Sequence, residues 1–223
     1  MRPYLDHIRH AIASRRARWF AISFGFVVLY YTGLLLFTML RFGEIPNYLV
    51  FHDVIGNYRL IFKGTPALSD AVPILMDEAW FEAGYKNPLY YGIATWSYML
   101  VPPKVLLVFL TGVMLATVAV LAASGKEAAC STSPVPLYAT AGIGSALVGL
   151  TSATLTWVVC CATPSWVVSL AMLGMSVSLA LWLEPAGIIL TPLGLLLIVG
   201  IIVRQLRGLA AATASSLRVS AAS

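Results

Sequence analysis

The sequence predicts an all-α integral membrane protein. It has four transmembrane helices plus a re-entrant or tilted segment, or alternatively five spans, and a helical cap on the outer side. Three observations lead there. Of the 223 residues, 60% are hydrophobic and only 10% are charged, against about 25% charged in soluble domains. Apolar runs long enough to cross a bilayer recur along the chain. Arginines gather at the two ends, the asymmetry that sets membrane orientation.

Residues 1–18 carry Arg2, Arg9, Arg15, Arg16 and Arg18 against the single acid Asp6. Leu5, Ile8 and Ile12 share one helical face, so this segment reads as a basic amphipathic helix on anionic lipid. Residues 19–40 form span 1, too long for a signal-peptide core. The five arginines put the N-terminus in the cytosol of a bacterial-type inner membrane. Residues 41–103 hold most of the acids: Glu44, Asp53, Asp70, Asp77, Glu78 and Glu82. Prolines 46, 66, 73 and 88 and glycines 56, 64 and 84 punctuate that stretch. Its high apolar content predicts a cap of short helices on the outer surface, with Trp80, Tyr85, Tyr90, Tyr91 and Trp96 in the interfacial belt.

Pro102 and Pro103 open span 2, residues 104–123, since a helix tolerates proline in its first turn. Residues 124–136 form a cytosolic loop. The apolar run 137–183 would be about 70 Å long as one helix, more than two crossings of hydrocarbon. A third span is expected from 137 to 161, broken near Pro164. The segment beyond it is either a full span or a helix that folds back. Residues 188–203 make the last span, and 208–223 a flexible tail. Five spans leave Arg204, Arg207 and Arg218 outside, whereas four spans with a returning segment put them inside, which favours the latter. Gly142, Ala146, Gly149 and Ala153, with Ser145 and Ser152 beside them, form a small-residue stripe suited to close helix packing.

Chemistry concentrates at Cys160 and Cys161, adjacent in an apolar stretch and followed by Pro164. Vicinal thiols are soft ligands for Hg, Cu or Zn ions. A proline frees backbone carbonyls and opens the helix, and broken helices are where membrane ion sites are built. The plain alternative is that buried cysteine packs as a small hydrophobe. A disulfide between neighbours is disfavoured by the geometry of the bond. Cys130 is a candidate acceptor thiol in the cytosolic loop. Met172 and Met175 are candidate thioether ligands, though methionine in apolar spans ordinarily packs. Glu184, beside Pro185, is a candidate for ion or proton passage, or a helix cap. His52 and Asp53 could catch a cation in the cap, or simply form a surface hydrogen bond.

Several classes are excluded. No phosphate-binding loop, H-E-x-x-H, G-x-S-x-G or paired carboxylate with a base is present, so the chain is read as no enzyme. The net charge of +5 sits at the chain ends and not in a patch interleaved with aromatics, so no nucleic acid is expected as a partner. A quinone-linked thiol oxidoreductase needs two redox pairs, which three cysteines do not make.

The run Cys160-Cys161-x-x-Pro164, then Leu173-Gly174-x-Ser176, then Leu183-Glu184-Pro185 and an apolar span ending in Arg204, resembles the mercuric-ion transport membrane proteins of the MerT type. The likeness covers residues 140–207, within a helical core at 137–207. It implies uptake of a thiophilic ion, with Cys160 and Cys161 taking it from an outer metal carrier and passing it to a cytosolic thiol. That family's second cysteine pair, in a loop after its second span, has no counterpart here, and the first 130 residues are unmatched. The other functional expectation is a non-catalytic accessory or assembly subunit of a larger membrane complex. Its partners would be the lipid bilayer and other membrane subunits.

Overall fold

The computed structural model describes residues 9–90, 94–128, 135–153, 155–157 and 186–221, with 174, 176 and 178. In chain order the elements are helix α1 (Arg16–Phe42), strand β1 (Tyr48–Phe51), helices α2 (Val54–Gly64) and α3 (Leu68–Asp77), and strand β2 (Phe81–Lys86). A 3₁₀ turn (Pro88–Tyr90) leads to strand β3 (Ala94–Leu100). Helices α4 (Pro102–Ala128) and α5 (Val135–Thr151), strand β4 (Leu155–Trp157) and helix α6 (Gly187–Ala221) follow. Among the described residues three helical stretches are long and apolar enough to cross a membrane: Arg16–Phe42, Pro102–Ala123 and Ile189–Leu209. They mark a multi-pass membrane protein. Helix α5 is equally apolar but has 17 residues, about 26 Å at 1.5 Å per residue, just under the hydrocarbon thickness.

The all-α expectation is corrected by an antiparallel sheet in the order β1-β2-β3-β4. The expected helical cap keeps only α2 and α3 as helices, and its other pieces are strands. The reason is local. Between the proline and glycine breaks lie runs of four to seven residues that are too short for stable helices and rich in the aromatic and β-branched types that suit a pleated surface. The helix expected from 137 to 161 is corrected as well. It ends at Thr151, where the Ser152 N–H donates to the Gly149 carbonyl at 3.3 Å. Leu155, Thr156 and Trp157 then pair with Tyr98, Ser97 and Trp96. An open strand edge offers a row of unpaired backbone groups, and this segment satisfies them. The expected loop at 124–136 is shorter, because α4 runs on to Ala128. The expected flexible tail is helical as far as Ala221, since the alanines that make it look featureless are the strongest helix formers.

The chain divides into two compact units, one of Met1–Val28, Phe109–Val148 and Leu190–Ser223, the other of Leu29–Val108 and Gly149–Ile189. The first is helical. Its buried side chains include Val118, Ala141, Ile198 and Ile201, and a second group of Ala11, Val120, Leu121 and Leu206. Ala11 belongs to a helical stretch at 9–14 that ends at Arg15, whose N–H donates to the Ile12 carbonyl at 3.1 Å. The amphipathic N-terminal segment therefore buries Ala11 against helices. Its Leu5 and Ile8 lie outside the described residues.

Several Ser and Thr hydroxyls in the apolar helices bond locally. Ser23 and Thr117 donate to the carbonyls four residues back, at 2.9 and 2.8 Å, and the Trp19 indole N–H donates to Thr117 at 3.1 Å. Helices α5 and α6 pack closely at Gly144 and Gly194. A Cβ on Gly144 would sit 2.8 Å from the Gly194 carbonyl oxygen, and one on Gly194 would sit 2.7 Å from that of Gly144. The small-residue stripe expected at 142, 146, 149 and 153 is thus displaced. Ala141, Gly144 and Val148 are buried on α5, while Gly142 and Ala146 are exposed. Gly149 and Ala153, which belong with Tyr30 to the second unit, are buried, Gly149 lying beside the Tyr30 ring.

That second unit is built on the sheet. Ala83, Trp96 and Tyr98 point from one face of the strands and are buried against Tyr31, Leu34, Leu35, Met39 and Phe42 of α1. The Phe42 and Trp96 rings stack 6.4 Å apart, and Tyr31 meets Tyr98 edge-on at 6.3 Å. The Tyr30 hydroxyl donates to the Gly149 carbonyl at 2.6 Å.

Candidate functional site

Cys160, Cys161, Cys130, Met172, Met175, Glu184 and Pro164 lie outside the described residues. His52 and Asp53 are described, and they part company. Asp53 caps α2, its Oδ1 accepting the Gly56 N–H at 3.0 Å. His52 turns to the sheet, with Nε2 3.5 Å from Oε2 of Glu82. The two neighbouring side chains thus bond in different directions, Asp53 to a helix end and His52 to Glu82. Among the described residues no group of three or more histidines, cysteines or acids converges to hold a metal ion.

The polar centre of the sheet unit is Glu82. Val50 on β1 and Met99 on β3 flank it in register, and Gly84 two positions on pairs with Tyr48 and Ser97. Strand alternation therefore puts Tyr48, Glu82 and Ser97 on one face, opposite the buried Trp96 and Tyr98. The Tyr48 hydroxyl donates to Glu82 Oε1 at 2.6 Å, and the Ser97 hydroxyl donates to the same oxygen at 2.8 Å. The two hydroxyl oxygens are 2.6 Å apart. The arrangement needs a glycine at 84, since a Cβ there would meet the Trp96 carbonyl oxygen and lie 2.7 Å from the Tyr48 hydroxyl. Lys86 Nζ lies 4.4 Å above the centre of the Tyr48 ring, a cation–π contact. The end of the hairpin is held by Asn47, whose side chain accepts the Lys86 N–H and donates to the Lys86 carbonyl, each at 2.8 Å.

Burial alone would push the Glu82 carboxyl up. Hydrogen bonds from Tyr48, Ser97 and His52, with the charge of His52, outweigh it and hold the group below its ordinary range. Burial, then the hydrogen bond to Glu82, pushes the Tyr48 hydroxyl up to about 12. The site is thus a fixed carboxylate with two hydroxyl donors on one oxygen and an imidazole on the other. It can take up a proton as pH falls. Glu82, Tyr48 and Ser97 were not singled out in the sequence. The signal that finds them is period-two alternation across three strands, and it is visible only once the register is known.

Comparison with protein family models, curated proteins and solved structures finds no match to this chain.

Proposed function

We propose that this multi-pass membrane protein binds or transports a thiophilic metal ion through Cys160 and Cys161. The observation that carries the reading is the vicinal thiol pair with Pro164 after it, three positions beyond a strand that belongs to the sheet. Thiolates hold Hg(II), Cu(I) or Zn(II) tightly, so movement would proceed by exchange between successive thiols, Cys130 being one available acceptor. The resemblance of residues 140–207 to MerT-type transporters points the same way.

Chain topology supports four spans. The chain leaves the sheet at Leu100, runs through α4 and α5, and rejoins the same sheet at Leu155. A crossing by α4 then requires a return crossing by α5, despite its short length. With the N-terminal arginines in the cytosol, the sheet lies on the outer side. Arg204 and Arg207 of α6 return to the cytosol if the segment between β4 and α6 folds back on the outer side. Cys160 and Cys161 belong to the stretch of sequence between β4 and α6.

The test is metal binding by the purified chain, and uptake by cells, for Cys160→Ser/Cys161→Ser. Loss of tight Hg(II) or Cu(I) binding with loss of uptake is expected. Unchanged binding and uptake would overturn the proposal. One observation favours the second reading, an accessory or assembly subunit. The sheet unit exposes large apolar side chains, among them Leu49, Phe51, Trp80 and Leu89, more than a free surface ordinarily carries. That reading predicts co-purification with other membrane subunits in mild detergent, and a monodisperse single chain would remove it.

A further inference from the structure

Helices α2 and α3 form a hairpin closed on itself by polar bonds. The Tyr58 hydroxyl donates to the Leu75 carbonyl at 3.1 Å, and the Asn57 amide donates to Glu78 Oε1. Ala71 is buried, Leu75 on the same face of α3 is half-buried, and so is Glu78 just past its end. The inner faces are therefore accounted for. Helix α3 nevertheless carries a second apolar set turned outward, Leu68, Val72 and Met76, between 50% and 70% exposed, and α2 exposes Ile55 and Phe62 on one flank. On α3 the three recur at every fourth position, a continuous stripe.

We infer that this hairpin is an interfacial anchor that lies on the bilayer with its outward apolar side chains sunk to the boundary between headgroups and acyl chains. The placement follows from what the hairpin is tied to. Asp77, the last residue of α3, is paired with Lys104 at 2.9 Å, and Lys104 is in the first turn of the candidate span α4. A segment paired to the first turn of a candidate span lies at the membrane surface, where an exposed apolar stripe meets lipid. The charge on α2 suits that position. Arg59 and Lys63 are its only ionisable groups apart from Tyr58, and long cationic side chains reach headgroup phosphates while their stems stay in the apolar boundary. The inference does not depend on the cysteines.

The experiment uses the full chain, native cysteines in place, in phosphatidylcholine–phosphatidylglycerol vesicles. A nitroxide is carried on a ketone-bearing amino acid at Leu68, Val72 or Asp70. At Leu68 and Val72, collision with oxygen is expected to exceed collision with a water-soluble nickel chelate several-fold, with the order reversed at Asp70. Equal nickel access at all three positions would overturn the inference. So would dipolar broadening between labels at Val72, which would make a second copy of the chain the occupant. The cysteine double variant should give the same readings, so the result stands or falls apart from the metal proposal.

Discussion

Both units of this chain rely on a glycine where two parts come too close for a side chain, and they use the closeness for opposite ends. In the helical unit, Gly144 and Gly194 bring two backbones together. In the sheet unit, Gly84 clears the path for a tyrosine hydroxyl to reach a carboxylate. The difference follows from the surroundings each is suited to. Between helices in lipid no hydrophobic force favours association, so shape and van der Waals contact must do it. At a half-wet sheet face, burying a carboxylate is costly unless donors are fixed around it.

The sharpest way to break the comparison is Gly144→Val. The new side chain starts 2.8 Å from a backbone oxygen that has no freedom to retreat, and overpacking of this kind costs about 3 kcal/mol. Gly142→Val, two positions away with open space around it, should change little. Thermal unfolding in detergent reads both, and equal Tm values for the two variants would remove the claim that Gly144 makes the critical contact. Next comes Gly84→Ala, expected to cost about 2 kcal/mol. It should also weaken the Tyr48–Glu82 bond, which a strained Tyr48 would show as a shift in its ultraviolet titration. A loss of stability with no change in that titration would mean that the Trp96 carbonyl, and not Tyr48, sets the need for glycine.

The smallest effect is expected of Tyr48→Phe, about 1 kcal/mol for one lost hydrogen bond to a carboxylate that keeps another. The network has a pH signature of definite sign. The folded-state pKa of Glu82 lies below its ordinary 4.5. Its contribution is therefore complete above that value and is lost as pH falls through the lower folded value. The Tm gap between the native chain and Glu82→Gln should stay constant from neutral pH down to the ordinary carboxylate range and narrow below it. A gap that stays flat into strong acid would show that the charge on Glu82 contributes nothing.

How much of this was legible beforehand depended on whether a signal was long or paired. Spans α1, α4 and α6 announce themselves through twenty or so consecutive apolar residues, a property of one segment alone. The strands do not. In Ala94–Leu100 the alternation is hidden because Trp96, Ser97 and Tyr98 are all buried, so neither face reads as polar. The glycine contact was misplaced by a residue or two because small side chains occupy nearly every position from 139 to 146, and only the partner helix decides which of them is used. Cys160 and Cys161 were legible as chemistry from adjacency alone. Glu82 was visible only as one acid among six, since its partners lie on two other strands.

The fourth strand has a consequence for the order in which the protein can be made. Trp157 joins Trp96 from about sixty positions further along the chain. At ribosomal speeds of roughly 5–20 residues per second, the β3 edge waits several seconds for its neighbour. During that interval α4 and α5 must both be delivered, and the half-finished sheet offers an open flank to any passing strand. Biogenesis of this protein therefore contains a built-in waiting period, and a stall or truncation between residues 101 and 154 would release a chain with that flank still open.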